Sequence, residues 1–472
     1  MRITVPLSLI GLSLIAGGLT WRLKHSSPPH KPLNVILISV DTLRRSELHP
    51  YNPDAATLPA LRKLSHESMV FENAYTTAPW TLPAHGSMFT GTYPDRHGAV
   101  NPAKKISGQI PTLAELLRAN GYATAAFTGG VYVSKVFGLN RGFFSFNGRK
   151  TPGDKSEAGK VWPAVAFRNE KSRDKRGMLT RGEEFIETWA DPKRPFFLFL
   201  HTYVVHDYFR QHPWALKHLP DPPKGVTSDL LSCLVGKQSC SDQDWDWLHR
   251  LYRAELLRMD QGLRIILQAL ERKGLADSTL IVLVSDHGEG FRPKEGRIHH
   301  GGRLNEDLIR IPMMIAGPGI DPGRSQMPVS LVDVTPTILE LAGVSAKARF
   351  DGVSLVPELH GQKEYKPRPL YAMEYFHQWE GGRRVNVYHH TDTPLMEAVM
   401  YEEGWYIQQG EKKQFYWMDD DPLQTVNLAP TARAAGEYAQ LLNLRQGVTP
   451  TSEPATMSKA IVGELKSLGY IQ

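Results

Sequence analysis

A chain of 472 residues, 41% of them hydrophobic, can bury the core of one large catalytic domain and of a smaller companion. Its 55 Lys and Arg against 49 Asp and Glu leave a formal charge of +6, which suits an anionic substrate or a membrane surface. Without any basic helix or arm, that balance excludes a nucleic-acid binder.

Residues Ile3–Trp21 form an apolar run behind Arg2, close to the roughly 20 residues that cross a bilayer. This predicts an exported chain: residues 1–21 act as a signal or membrane anchor, and residues 22–32, with HSSPPHKP, as a tether. Secretion after signal cleavage is the alternative. Leu33–Val40 is a continuous β-branched run that stops at Asp41-Thr42. That is the pattern of a buried parallel strand delivering an acid at its C-terminal end, the edge where α/β sheets bind ligands. A helix over Thr57–Ser68 and a strand near Met69–Glu72 follow.

In TLPAHG, Thr81 stands two residues ahead of Pro83. Proline favours the first helical position, which predicts the hydroxyl at or beside a helix N-terminus, where unpaired N–H groups and the dipole attract an anion. Pro111–Asn120 reads as a helix stopped by Gly121, and Tyr122–Thr128 as a strand. Gly148–Met178, charged and poor in apolar residues, reads as a loop. Phe196–His201 is a second core strand, running out to His206. Asp207–Asp244, broken by Pro213, Pro220, Pro222 and Pro223, reads as a lid-like insertion. It also holds the chain's two cysteines, Cys233 and Cys240, a pair that can close a small loop in an exported protein.

Trp245–Lys273 is a long amphipathic helix with Leu251, Leu256, Met259, Leu263, Ile266, Leu267 and Leu270 on one stripe. The strand Leu280–Val284 then delivers Asp286-His287-Gly288-Glu289, a glycine-rich loop carries His299-His300-Gly301-Gly302, and Arg310–Ala316 returns as a strand. Glu289 reads as a solvated turn carboxylate or a support for its neighbours. The alternation predicts an α/β class: a large, mostly parallel sheet flanked by helices over residues 33–365. From 366 to 472, LYAMEYF, VMYEEGWYIQQ and QFYWMDD predict a smaller antiparallel α+β subdomain, closed by a helix over Ser458–Leu468. Asp41, Asp286 and His287 offer hard oxygen and imidazole donors for one divalent cation.

The ordered motifs VILISVDTLR, TLPAHGSMFTGTYPDRHG, LLRANGYATAAF, RPFFLFLH, SDHGEG, HHGGRLNEDLIRIP, SLVDVTPTILELAG and the terminal LKSLGYIQ give the chain a resemblance. From about Asn34 to its end it resembles the alkaline phosphatase/sulfatase superfamily, in its sulfatase-like branch. The resemblance implies that Asp41, Asp286 and His287 hold one divalent metal (Mn, Zn, Ca or Mg), with Thr81 as nucleophile and fourth ligand. It implies that His206 and His300 serve the transferred group or the leaving oxygen, and that His85 and Arg303 face the anionic substrate.

The chain also departs from that pattern. Sulfatases carry Cys or Ser where Thr81 stands, ahead of an arginine where His85 stands. Thr42 replaces a second acid, Thr128-Gly129-Gly130 replaces a Lys-His pair, and Asn305 stands where relatives often have Tyr. What remains resembles the single-metal threonine enzymes of the superfamily, which pass through a phospho-threonine. The implied function is therefore hydrolysis or transfer of an anionic ester through Thr81, phosphoric before sulfuric, with an envelope glycan or lipid-linked substrate. The alternatives are a sulfuric ester hydrolase and an inactive, membrane-tethered binding protein.

Overall fold

The computed structural model describes residues 32–147, 149–150, 177–189, 193–362, 366–380, 383–387, 393–445, 448 and 453–467. The expected N-terminal anchor, most of the 148–178 loop and residue 468 of the closing helix lie outside the described residues. Among the described residues no helix is long and apolar enough to cross a membrane.

Six strands form the centre of the main sheet: β1 (Asn34–Val40), β2 (Ser68–Tyr75), β3 (Ala123–Thr128), β4 (Phe196–Thr202), β5 (Thr279–Ser285) and β6 (Arg310–Ala316), in spatial order β2-β6-β5-β1-β4-β3. β1 runs parallel to both neighbours, and Val40 pairs with Thr202 on one side and Ser285 on the other. These three strands are buried throughout, as their unbroken apolar runs require, and they finish level. The residues that follow them therefore meet at one edge. β6 is antiparallel to β5 and to β2, so the sheet is mixed, though mostly parallel. The link from β5 to β6 holds a short antiparallel hairpin (Gly290–Arg292 with Arg297–His299) and one turn of helix (Glu306–Ile309) rather than a long crossover helix, and β6 returns antiparallel.

The helices are set by local chemistry. Pro59–His66 (α1) carries proline at its start. Thr81–Thr90 (α2) is buried along its whole length and ends at Gly91, in the left-handed region at φ 65°. Pro83 is its third residue, not its first. The first four helical N–H groups have no partner in the helix, so proline costs no bond there either. Leu113–Ala119 (α3) begins with a reciprocal capping box between Thr112 and Glu115. Asp242–Arg272 (α4) starts three residues before the expected Trp245, because Ser241 and Asp244 form a second capping box. In the 207–244 insertion Ala215, Leu230 and Leu234 are buried in the main core, and Cys233 and Cys240 are disulfide-bonded. These contacts root the insertion in the domain.

The C-terminal subdomain contains β7 (Leu370–Glu374), β8 (His377–Glu380), β9 (Arg383–Asn386), β10 (Met396–Tyr401), β11 (Gly404–Gln409) and β12 (Lys412–Trp417). β7-β10-β11-β12 form an antiparallel sheet, and β8-β9 a separate hairpin. One sheet face packs with Tyr75, Leu304, Leu308 and Ile309 of the main domain. The other is covered by Ala434–Asn443 (α5), through Tyr438 and Leu442. Asp421 accepts the backbone N–H groups of Thr425 and Val426, a structural turn.

Candidate metal and nucleophile site

Because β1 and β5 end in register, Asp41 and Asp286 stand side by side, both fully buried. The turn after β1 is tightly held. Thr42 sits at φ 57°, an uncommon conformation for a β-branched residue. Its N–H donates to Asp286 Oδ1 (3.3 Å), its hydroxyl to the Asp41 carbonyl (2.7 Å), and its carbonyl accepts the Tyr252 hydroxyl (2.8 Å). His287 Nδ1 donates to the Gly288 carbonyl at 2.9 Å, which leaves the Nε2 lone pair toward the acids, 3.6 Å from Asp41 Oδ1 and 3.5 Å from Asp286 Oδ2. Thr81, first residue of α2, places its Oγ1 3.3 Å from both Asp41 Oδ2 and His287 Nε2. The four residues assigned to the metal and nucleophile are thus brought together.

This donor set fits one divalent cation. Ligand atoms of Asp41, Asp286 and His287 lie within 4.8 Å of one another. Among the described residues Asp41 Oδ1 and Asp286 Oδ2 accept no hydrogen bond, although buried polar atoms are nearly always satisfied. Burial and the Asp41 charge push the Asp286 carboxyl up to about 6. Burial also works to raise Asp41, but His206, His201 and His287 outweigh it and hold that carboxyl below its ordinary range. A divalent cation between two carboxylates held so close in a dry site would relieve their repulsion.

His206 and His300 stand beside this centre, with ring centres 5.1 Å apart, and His300 lies 4.7 Å from His287. Glu289 is fully buried rather than solvated, and burial pushes its carboxyl well up. Its Oε2 is 3.0 Å from His300 Nδ1 and its Oε1 3.3 Å from His299 Nδ1. Burial and the neighbouring charges hold both rings well below the ordinary histidine value, so they are neutral.

The two residues expected to face the substrate, His85 and Arg303, are both engaged by protein groups. His85 follows Thr81 by four residues, one helical turn, so its ring folds back on that turn: Nδ1 donates to the Thr81 carbonyl at 2.8 Å, and Nε2 accepts the Ser39 hydroxyl at 3.0 Å. With both nitrogens engaged, it supports the nucleophile helix. Arg303 spans the loop that carries His300, with contacts to the Ile298 and His299 carbonyls and to Asp307. These contacts brace that loop.

Three residues that sequence reasoning left unassigned also belong here. His201 Nε2 lies 3.3 Å from Asp41 Oδ2, while its Nδ1 donates to the Gly129 carbonyl. Burial opposes a charge on that ring, but Asp41 more than offsets it and holds its pKa above the ordinary value. From the β8-β9 hairpin, Arg384 donates to the His300 carbonyl at 3.2 Å, and His377 packs edge-on to Trp80 and beneath Gly301. A Cβ at Gly301 would fall 2.8 Å from the His377 ring, and its φ is 78°, so only glycine suits the position.

Gly288 has a similar constraint from backbone. A Cβ there would stand 2.0 Å from the Asp307 carbonyl oxygen. Gly288→Ala is expected to lose about 2–3 kcal/mol of stability in urea unfolding, the usual cost of overpacking. It should also weaken metal binding, because the displaced turn carries Asp286, His287 and Glu289.

The sulfatase family model matches residues 33–344, and the model described as N-sulphoglucosamine sulphohydrolase, C-terminal, matches residues 300–444. The chain is 27% identical over 463 residues to a choline-sulfatase of Rhizobium meliloti, covering 87% of this chain and 85% of that one. It is 25% identical to arylsulfatase K of Xenopus laevis, over 90% and 84%. Among solved structures, BT4656 in complex with its substrate D-glucosamine-2-N,6-O-disulfate superposes with a TM-score of 0.67 at 19% identity, over 89% of this chain and 98% of that one. The phosphonate monoester hydrolase of Agrobacterium radiobacter does so with a TM-score of 0.61 at 18% identity, over 88% and 96%.

Proposed function

The chain belongs to the sulfatase family of ester hydrolases, and on that premise we propose that Thr81 is its nucleophile and that a singly charged phosphoric ester is its preferred substrate. The observation that carries this reading is the position of Thr81 Oγ1, 3.3 Å from Asp41 Oδ2 and from His287 Nε2 at the N-terminus of a buried helix. A threonine hydroxyl cannot be oxidised to an aldehyde. Any covalent ester it forms must therefore be opened by attack at phosphorus or sulfur.

A bound divalent cation lowers the pKa of a hydroxyl beside it and neutralises a non-bridging oxygen of the substrate. Asp41 Oδ2 accepts the hydrogen bond of the Thr81 hydroxyl and so orients its lone pair for in-line attack. The unpaired N–H groups of the first turn of α2 stabilise the anionic group as charge moves. As the bond to the leaving oxygen breaks, the Thr81 proton leaves through its hydrogen bond to Asp41 Oδ2, and His300, held at Nδ1 by Glu289, stands with His206 to hydrogen-bond the departing oxygen. Water then opens the threonine ester, or another alcohol takes the group. Two ionised carboxylates balance a divalent cation, burial holds the nearby rings of His85, His299 and His300 well below their ordinary value, and Asp41 holds His201 above it. Such a site suits a monoanion, a phosphodiester or phosphonate monoester, better than a dianion.

A sulfate monoester carries the same single charge, and the sulfatase names of the sequence relatives favour this second reading. The sugar substrate held by BT4656 favours an ester borne on a glycan, of the envelope or linked to lipid. An exported, membrane-anchored enzyme is the setting we infer for it, from residues 1–21. The test is turnover of an aryl phosphodiester, an aryl phosphomonoester and an aryl sulfate with Mn²⁺, Zn²⁺ or Ca²⁺. Faster turnover of the sulfate would reverse the preference, and a folded protein that binds no metal and turns over none would be a binding protein.

A further inference from the structure

The strand register that gathers the acids also carries a tyrosine to the same edge. Val40 pairs with Thr202 on one side and Ser285 on the other, so Tyr203 leaves the sheet level with Asp41 and Asp286. The Asp41 N–H donates to the Thr202 carbonyl at 3.1 Å, which fixes that alignment. The Tyr203 ring lies 6.3 Å from the ring of His201, the histidine that faces Asp41. Space for it comes from the neighbouring strand. β3 ends at Thr128, opposite His201, and Gly129-Gly130 follow. A Cβ on Gly129 would fall 2.7 Å from the Tyr203 Cβ, and one on Gly130 would fall 2.9 Å from its Cε2. A side chain at either position would displace the tyrosine. The Tyr203 ring stacks on His206, with centres 4.0 Å apart and planes at 21°, and its hydroxyl stands 3.0 Å from His206 Nε2. His206 Nδ1 lies 3.5 Å from Asp207 Oδ1, an oxygen that Arg210 Nε also approaches at 3.3 Å. His206 is buried, whereas Tyr203 is half-buried.

We propose that Tyr203 and His206 act as one hydrogen-bonded pair that protonates the departing oxygen, with the Tyr203 hydroxyl as the group that meets it. The proposal rests on the ester-hydrolase reading above. With Nε2 toward the phenol and Nδ1 toward Asp207, the buried imidazole directs both nitrogens to protein groups, and the phenol is the more exposed member of the pair. As the ester bond breaks, its electron pair stays on the departing oxygen, which takes the Tyr203 O–H proton. The phenol oxygen takes the Nε2 proton of a His206 imidazolium, whose Nδ1–H stays toward Asp207. Tyrosine thus ends unchanged and His206 ends neutral. The water that opens the threonine ester releases one proton, and that proton restores the imidazolium.

The test compares two esters of one acid, the 4-nitrophenyl and the phenyl ester, in the full-length protein, in Tyr203→Phe, in His206→Gln and in the double variant. Nitrophenolate departs readily without a proton, whereas phenolate departs far better with one. Tyr203→Phe keeps the stacked ring and removes only the hydroxyl. It should lower kcat/KM about threefold on the nitrophenyl ester and about a hundredfold on the phenyl ester, the range of a lost general acid. On the phenyl ester the double variant should fall within about threefold of either single one, as groups that work as a unit do. In the metal-free protein, Tyr203→Phe should also shift the nitrogen-15 NMR signal of His206 Nε2. Equal losses on the two esters would make Tyr203 a packing residue and overturn the proposal. Losses that multiply in the double variant, or an unmoved Nε2 signal, would overturn it as well. A parent protein that turns over neither ester would instead sink the ester-hydrolase reading itself, and the proposal with it.

Discussion

Thr81→Ala is expected to lower kcat/KM for the preferred aryl ester by about 10⁴-fold or more, in line with the loss when a covalent nucleophile is removed from a site that otherwise stays intact. The geometry makes this loss specific. The methyl group of alanine leaves Asp41, Asp286 and His287 in place, so one divalent ion should still bind, with affinity reduced by a single ligand. The fold should barely change, because the lost hydroxyl contacts are worth about 1 kcal/mol each. Thr81→Ser keeps the oxygen but gives up the branched carbon that restricts its rotamer, and should retain a measurable fraction of turnover. Quenched-flow mass spectrometry should trap a group on Thr81 in the parent and on the substituted serine in the Thr81→Ser variant. Full turnover in the alanine variant would assign the attack to water and leave the threonine as a ligand only.

How far the site was legible depended on what each residue's neighbours look like in one dimension. Asp41 and Asp286 each end a continuous apolar run, and parallel strands buried on both faces produce such runs, so the acids announced themselves. Thr81 was marked by proline and by its motif. His201 was hidden because it is the last apolar-looking position of Phe196–Thr202, and nothing in a strand pattern distinguishes a core histidine from one aimed at an acid across the sheet. Glu289 lies in a polar, glycine-rich stretch that reads as solvated. Its burial follows from the return of residues 299–300 over it and from the β8-β9 hairpin, contacts between positions up to about a hundred apart. His85 was hard to read for a different reason: the resemblance puts an arginine at its position, while in this helix the i+4 geometry turns an imidazole back onto the Thr81 carbonyl. His377 and Arg384 come from a hairpin whose approach to the site depends on the packing of the whole C-terminal sheet.

Asp286→Asn should have opposite effects on stability and on function. In the metal-free protein the Asp286 carboxyl, raised from 3.8 to about 6 by burial and by Asp41, binds its proton more tightly folded than unfolded. Its contribution to stability is fully present below pH 3.8 and is lost as pH rises through 6. Above that, holding the second carboxylate ionised costs on the order of 3 kcal/mol, at about 1.4 kcal/mol per pKa unit. Asparagine keeps an oxygen for the His287 and Thr42 N–H groups that now bond Oδ1, and it removes the charge. In chelator at pH 7.5 the variant should therefore melt higher than the parent, and the difference should vanish toward pH 4. Adding divalent metal reverses the order. The parent gains about 2.7 kcal/mol at a hundredfold excess over its Kd, whereas the variant, short of one anionic ligand, gains little and turns over nothing. Calorimetric scans with and without metal across pH 4–8 read both effects at once. A variant less stable than the parent in chelator at pH 7.5 would mean that the two carboxylates do not strain the empty fold. In that case the orphaned oxygens of Asp41 and Asp286 would no longer argue for a cation held between them.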